Sequence, residues 1–311
     1  MTTNYCISPS LPPRSTSSPN ISSTHSAHSP KRTAPSKQPS SSFWGNRSHQ
    51  QIQTATQLAD SARVILAVLS PVFFAREYLS FEPEPNQERA LQNFVYHKRL
   101  ALNCNRQWGK STVIAIMAAH RLFTQDGTTV LIVAPSGRQS GETFLKVAKF
   151  LRLLNIRPER DGVNALSMVL PNESRIVSLP GVDDTARGFS AISLLIFDEA
   201  SRVRDEIYLA LRPSLAVSRG DIILISTPNG KRGFFYREMT QSKVAWFRHT
   251  GPVSDCGPRI PADFLEEEKE RGDSFFRQEY LCEFVESRYF VLDDETIHKM
   301  IKRELEAFKW L

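Results

Sequence analysis

Arg99-Leu-Ala-Leu-Asn-Cys-Asn-Arg-Gln-Trp-Gly-Lys-Ser-Thr112 is the stretch whose reading decides the fold. Its first half predicts a short strand, Gly109-Lys-Ser-Thr112 a tight loop, and the apolar spacing of Val113, Ile114, Ile116 and Met117 a helix. Strand, loop and helix in that order form the layout of a phosphate-binding loop. The N–H groups of such a loop and the N-terminus of its helix face an anion. Lys110 then reaches the β- and γ-phosphates, the Ser111 hydroxyl sits on Mg²⁺, and Gln107, Trp108, Gly109 and Thr112 complete the cradle. The first glycine of the G-x-x-x-x-G-K-[ST] pattern is Cys104 here, so an ordinary strand-to-helix turn also fits, and the surrounding sequence has to decide.

Downstream, Ser193-Leu-Leu-Ile-Phe-Asp-Glu199 runs four apolar residues into adjacent carboxylates, as a central parallel strand does when it ends at a functional face. Asp198 at the strand tip can hold the water shell of Mg²⁺, and Glu199 can orient and deprotonate an attacking water. Alternatively, Asp-Glu caps the next helix. A third strand, Asp221-Ile-Ile-Leu-Ile-Ser-Thr227, leads into Pro228-Asn-Gly230 and would place Ser226, Thr227 and Asn229 beside the carboxylates, where they can sense a γ-phosphate. Upstream, Phe81-Glu-Pro-Glu-Pro-Asn-Gln87 delivers a Gln just before a helix. Its amide can donate and accept at once, which suits an adenine edge.

Further elements complete an alternation of strands and helices. Thr128–Ala134 reads as a buried strand, 139–154 as a helix, and 165–170 with 175–179 as a hairpin. Beyond Gly230 a strand is expected over Lys243–His249 and a charged helix from Pro261 to Gly272. The aromatics of Ser274–Phe284 read as core packing, and Glu295–Leu311 as an amphipathic helix. The expected fold is α/β: a doubly wound, mostly parallel sheet with helices on both faces. Residues 1–50, rich in Ser and Pro, read as a disordered basic tail. Residues 51–80 read as a helical segment broken at Ser70-Pro71, 81–284 as the α/β domain, and 285–311 as a C-terminal helix or linker.

Bulk properties narrow the class. The net charge is +6, and five of those charges (Arg14, Lys31, Arg32, Lys37, Arg47) lie in the acid-free first 50 residues. The rest of the chain is nearly neutral, so binding to nucleic acid requires a local patch. Cys6, Cys104, Cys256 and Cys282 show no C-x-x-C spacing, which argues against zinc and for a reducing compartment. The apolar run Ala62–Ala75 contains Arg63 and Pro71 and is too short to span a bilayer, and no secretory signal is visible.

Together these pieces resemble the ATPase domain of the large terminase subunit, the motor that packages DNA into tailed-phage heads. The resemblance covers roughly Phe81 to Phe284. Pro83-Glu-Pro-Asn-Gln87 resembles the adenine-reading motif, and Asn105-Arg-Gln-Trp-Gly-Lys-Ser-Thr112 the variant phosphate loop that tolerates loss of its first glycine. Leu195-Ile-Phe-Asp-Glu-Ala200 is similar to the Walker B strand with its catalytic glutamate, and Ser226-Thr-Pro-Asn-Gly230 to the motif that couples hydrolysis to movement. Phe276–Phe284 is similar to the segment that leads out of the domain.

The resemblance implies P-loop ATP hydrolysis with Mg²⁺ and double-stranded DNA as the translocated partner. It also implies a homo-oligomeric ring, small-subunit and portal partners, and the cytoplasm of a bacterial host. It further implies that Arg106 stabilises γ-phosphate charge and that Arg187 reaches a neighbouring subunit's nucleotide. Large terminases usually continue into a nuclease domain. Here only Asp293, Asp294 and Glu295 cluster after Phe284, so no nuclease activity is expected of this chain. A truncated prophage gene, half of a split terminase and a stand-alone ATPase remain open. Another helicase-like ATPase, or a remnant that binds nucleotide without turnover, are the competing readings.

Overall fold

The computed structural model describes residues 57–162, 166–181 and 188–286. The chain divides into two compact units, Met1–Leu66 and Ala67–Leu311. Of the first unit, residues 57–66 are described, and they are helical. The expected tail (1–50), Arg187, the Asp293-Asp294-Glu295 cluster and the expected helix Glu295–Leu311 lie outside the described residues.

The second unit is organised on one seven-stranded sheet: β1 (Arg99–Cys104), β2 (Thr129–Ala134), β3 (Ser167–Val169), β4 (Arg175–Pro180), β5 (Leu194–Asp198), β6 (Asp221–Ser226) and β7 (Phe247–Gly251). Their spatial order is β3-β4-β2-β5-β6-β1-β7, and every neighbouring pair is parallel except β3 against β4. The period of two along each strand divides the core. Leu100, Leu102 and Cys104 of β1 join Ile223 and Ile225 on one face, whereas Ala101 joins Leu195, Phe197 and Leu224 on the other.

Helices Pro71–Leu79, Pro85–Phe94, Lys110–Thr124 and Gly137–Leu153 cover the first face. Asp205–Leu211 and Gly233–Thr240 cover the second. Strands buried on both sides must be apolar throughout, which is why their sequences read as unbroken hydrophobic runs. The doubly wound α/β fold expected from the sequence is the one observed.

Some boundaries differ. Ser70 does interrupt the upstream helix, since its Oγ accepts from Phe73 N at 3.2 Å and Pro71 opens the next helix. However, Ala67, Val72, Phe74, Ala75 and Leu79 are buried in the sheet's core, so 67–79 belongs with the sheet rather than in a segment of its own. The last parallel strand begins at Phe247 instead of Lys243, because Ser242–Val244 forms a turn that the Arg248 guanidinium wraps. Phe276 and Tyr280 stack in the core with ring centroids 5.1 Å apart, as the aromatic spacing implied.

Gly251 on β7 stands beside Cys104 and supports the buried Trp108. A Cβ there would lie 2.5 Å from Trp108 Nε1 and 2.8 Å from Cδ1. Gly251→Ala is therefore expected to lower the unfolding free energy by about 1–3 kcal/mol in a urea titration. Gly137→Ala, whose added carbon meets nothing within 4 Å at a helical position, should not lower it.

Candidate functional site

At the carboxyl edge of the sheet, β1 runs into the loop 105–109, β5 ends in Asp198 and β6 ends in Ser226. Asn103 registers against Ser226, and Asp198 against Ile225, so β6 separates the loop strand from the carboxylate strand. The loop is folded around Asn105. Its backbone N and its Nδ2 both donate to Gly251 O at 3.0 Å, while its Oδ1 accepts from Gln107 N at 2.9 Å. Arg106 N donates to Glu279 O at 3.1 Å.

Gly109 has φ +90°, and a Cβ there would lie 2.7 Å from Gln87 Nε2, so glycine is required twice over. Cys104 closes β1 in the core and is not among the residues with positive φ, so its position has no need of glycine. Among the described residues, the N–H groups of Gly109, Lys110 and Ser111 have no hydrogen-bond partner, and they open the helix Lys110–Thr124. This is an anion cradle. Lys110 is buried, with Nζ 3.0 Å from Asn105 O and 3.7 Å from Glu199 Oε1.

Asp198 is 3% exposed. Thr143 Oγ1 donates to its Oδ2 at 2.7 Å, and its Oδ1 has no partner. Burial pushes the carboxyl up to about 6, against the opposing pull of the Thr143 hydrogen bond and of Lys110. Glu199 turns out of the strand at φ +52°, and its side chain caps no helix, which sets aside the capping alternative. Its Oε1 faces Lys110. Its Oε2 accepts from Arg202 Nη1 at 3.1 Å and from Ser226 Oγ at 3.3 Å. Thr227 Oγ1 accepts from Arg202 Nη1 at 3.0 Å.

The structure thus brings Lys110, Asp198, Glu199, Ser226 and Thr227 together around the loop. Ser111 and Thr112 lie half-buried in the first turn of the helix. Asn229 is turned instead to Ser201 O, at 3.4 Å. The Arg106 and Gln107 side chains are exposed, and the Trp108 indole is core, so Gln107 and Trp108 serve the loop through their backbones.

Gln87 departs from the free amide that its position predicts. Its Oε1 accepts from Glu84 N at 3.0 Å in a capping box, and its Nε2 donates to Trp108 O at 2.7 Å. It braces the phosphate loop. Thr143, Arg202, Glu279 and Arg259 escape the sequence reading. Arg259 Nη2 donates to Gln107 O at 2.5 Å. Only Arg202, three residues after Glu199, gives a local signal.

Residues 103–305 match the family described as terminase large subunit, T4likevirus-type, N-terminal. The large terminase subunits of Thermus virus P23-45 and Thermus phage G20c are each 26% identical over 244 residues, covering 67% of this chain and 50% of the relative. The chain spans about half the length of these curated relatives. The ATPase domain of the Thermus phage P74-26 large terminase has a similar fold, with a TM-score of 0.60 at 24% identity over 70% of this chain and 100% of that one. The HK97 bacteriophage large terminase gives a TM-score of 0.57 at 18% identity, over 69% of this chain and 54% of that one.

The buried Asp198 has a stability consequence. With its carboxyl raised from 3.8 to about 6, the native protein binds the extra proton between those values. Stability is therefore full below pH ~4 and is lost as pH rises through ~6, by about 3 kcal/mol. Asp198→Asn keeps an acceptor for Thr143 and removes the charge. Thermal melts should show it more stable than the parent at pH 8 and equal to it at pH 4.

Proposed function

We propose that this chain, which belongs to the terminase large-subunit family, is an ATP-hydrolysing motor domain that drives translocation of double-stranded DNA. The observation that carries this reading is the Lys110–Glu199 pairing at 3.7 Å across the tips of β1 and β5, beside three unpartnered loop N–H groups. The N–H groups of Gly109, Lys110 and Ser111 receive the phosphates. Lys110, held by Asn105 O and Glu199, moves its charge to the γ-phosphate, and Glu199 Oε1 is released. That oxygen then takes the proton of the attacking water, while Oε2 stays on Arg202 and Ser226.

Ser111 Oγ and Asp198 Oδ1 fit Mg²⁺, because Oδ1 is a buried acceptor with no partner. One carboxylate and one hydroxyl completed by substrate phosphates is a Mg²⁺ donor set. Among the described residues no cluster of three or more His, Cys, Asp or Glu forms a larger metal cage. When bound, the ion would neutralise charge that develops on the phosphates. Arg106, exposed at the loop, is proposed to meet γ-phosphate charge, and Arg187 to act on a neighbouring subunit's nucleotide in a homo-oligomeric ring. Ser226, Thr227 and Asn229 would relay hydrolysis to movement. Small-subunit and portal partners, and the host cytoplasm as the working compartment, are proposed on the strength of the family resemblance.

The sheet unit also presents a basic surface. Arg138, Lys149 and Arg152 lie on the exposed face of helix Gly137–Leu153, with Lys146 beside them and Arg157 and Arg160 following. None of the six has an ion-pair partner among the described residues, so their charge is available to duplex phosphates. Glu142, exposed on the same helix, lowers the charge of that face, and the six cations are proposed as the local patch that a nearly neutral folded region requires.

In a phosphate-release assay, Lys110→Ala should lose both nucleotide affinity and turnover. Glu199→Gln should keep Mg²⁺-nucleotide binding and lose turnover by at least ~100-fold. Wild-type rates in either variant would defeat the assignment. Lys149→Glu combined with Arg152→Glu is expected to weaken binding to linear duplex DNA and flatten its salt dependence, leaving ATP affinity unchanged. Unaltered DNA binding would move the contact surface elsewhere.

A further inference from the structure

Two charged groups beside Glu199, Arg202 and Glu279, are assigned no catalytic step of their own in the hydrolysis described above. Arg202, at the end of the short turn Ala200–Arg202, spreads its guanidinium over three partners. Nη1 donates to Glu199 Oε2 and Thr227 Oγ1, and Nη2 donates to Glu279 Oε1 at 3.3 Å. Glu279 is 5% exposed, and among the described residues its salt-bridge partner is Arg202. A buried carboxylate so placed fixes the direction of the planar fork that pairs with it.

Glu279 also ends the helix Asp273–Glu279, and that helix end touches the site at three points. The peptide carbonyl of Glu279 accepts from Arg106 N in the phosphate loop, its side chain holds Arg202, and the neighbouring Gln278 Oε1 accepts from Gly230 N at 3.3 Å in the turn after β6. Glu199 itself leaves its strand in a left-handed conformation, with Oε1 facing Lys110 and Oε2 taken by Arg202 and Ser226. Without a fixed partner on Oε2 that side chain has several rotamers open to it, and a general base must be held within hydrogen-bond reach of one proton.

We propose that Arg202, oriented by Glu279, is the positioning residue that fixes Glu199 for proton abstraction, and that this chain of contacts makes hydrolysis depend on helix Asp273–Glu279. The inference rests on the ATPase reading given above. It adds a residue pair whose proposed role is exerted through Glu199. Lysine at 202 can pair with one carboxylate but cannot fork across two, so it restores the role only in part.

The test uses the full chain and separates binding from turnover. Affinity for a fluorescent, non-hydrolysable ATP analogue with Mg²⁺ is measured beside kcat for ATP. Arg202→Met should lower kcat by roughly 10- to 100-fold, the scale of a misplaced catalytic group, with analogue affinity within about twofold of the parent. Arg202→Lys should recover part of the loss. Glu279→Gln should lower kcat less, and the double variant should be no slower than Arg202→Met alone, because the two residues act in series. An unchanged kcat in Arg202→Met, or losses that multiply in the double variant, overturns the proposal. Should Arg202→Met prove unstable, Arg202→Lys paired with Glu279→Gln gives the same non-additivity test. Absence of turnover in the parent protein would defeat the ATPase reading itself, and the positioning role with it.

Discussion

The insertion of β6 between β1 and β5 is the constraint on which the rest of the site depends. Two strand spacings put the tips of β1 and β5 ~10 Å apart. That gap is too wide for backbone groups to meet and close to the combined reach of one lysine and one glutamate side chain. Lys110 and Glu199 therefore face each other across it, at 3.7 Å, with room between their backbones for a phosphate chain. The intervening strand ends in Ser226 and Thr227, whose hydroxyls fill the floor of the gap and reach Glu199 directly or through Arg202. A pairing of β1 directly with β5 would close that gap and leave no place for those hydroxyls.

The features legible in the sequence share a physical property: each is local. A phosphate loop needs a strand, a turn and a helix in immediate succession, and the carboxylates need only the end of their own strand. Burial on both faces of a parallel sheet writes the strands as continuous apolar runs, so the fold is legible as well. What escapes a sequence reading is set by distant parts of the chain. Thr143 meets Asp198 across 55 residues, and Arg202 meets Glu279 across 77. Gln87 illustrates the same limit from the other side. Its position before a helix suggests a free amide, yet the same local sequence also builds a capping box, and the loop carbonyl 21 residues away takes the donor. The upstream helix reads as a separate segment because its apolar residues alone do not show which core they enter.

The site holds strain and unpaired charge that the rest of the domain has to sustain. Glu199 sits at positive φ without being glycine, and Asp198 lies buried with one oxygen unsatisfied. Both are unfavourable in isolation, and the second is of the kind that a bound cation would satisfy, which is the pattern expected where geometry is set for a ligand instead of for the free protein. The thiols behind the loop are of the opposite kind. Burial raises Cys104 well above its ordinary value and Cys282 to about 12, so they stay protonated and serve as small packing groups.

The loop is held from two directions, and the pattern of holding explains why its N–H groups are free. On the side of Gln87 and Arg259, consecutive carbonyls are taken: Trp108 O by Gln87 and Gln107 O by Arg259, which also pairs with Glu84 at 3.0 Å. From the core, Asn105 ties the loop to Gly251 O, and Glu279 O takes Arg106 N. With those two carbonyls held and its first four amides engaged, the loop has one set of backbone donors left, those of Gly109, Lys110 and Ser111 at the helix start. An anion bound there meets donors already fixed in place, so little ordering entropy is lost on binding. Through Gln87 and Glu84, the segment Pro83–Gln87 is therefore an outer brace of the loop, and it helps keep those three amides aligned.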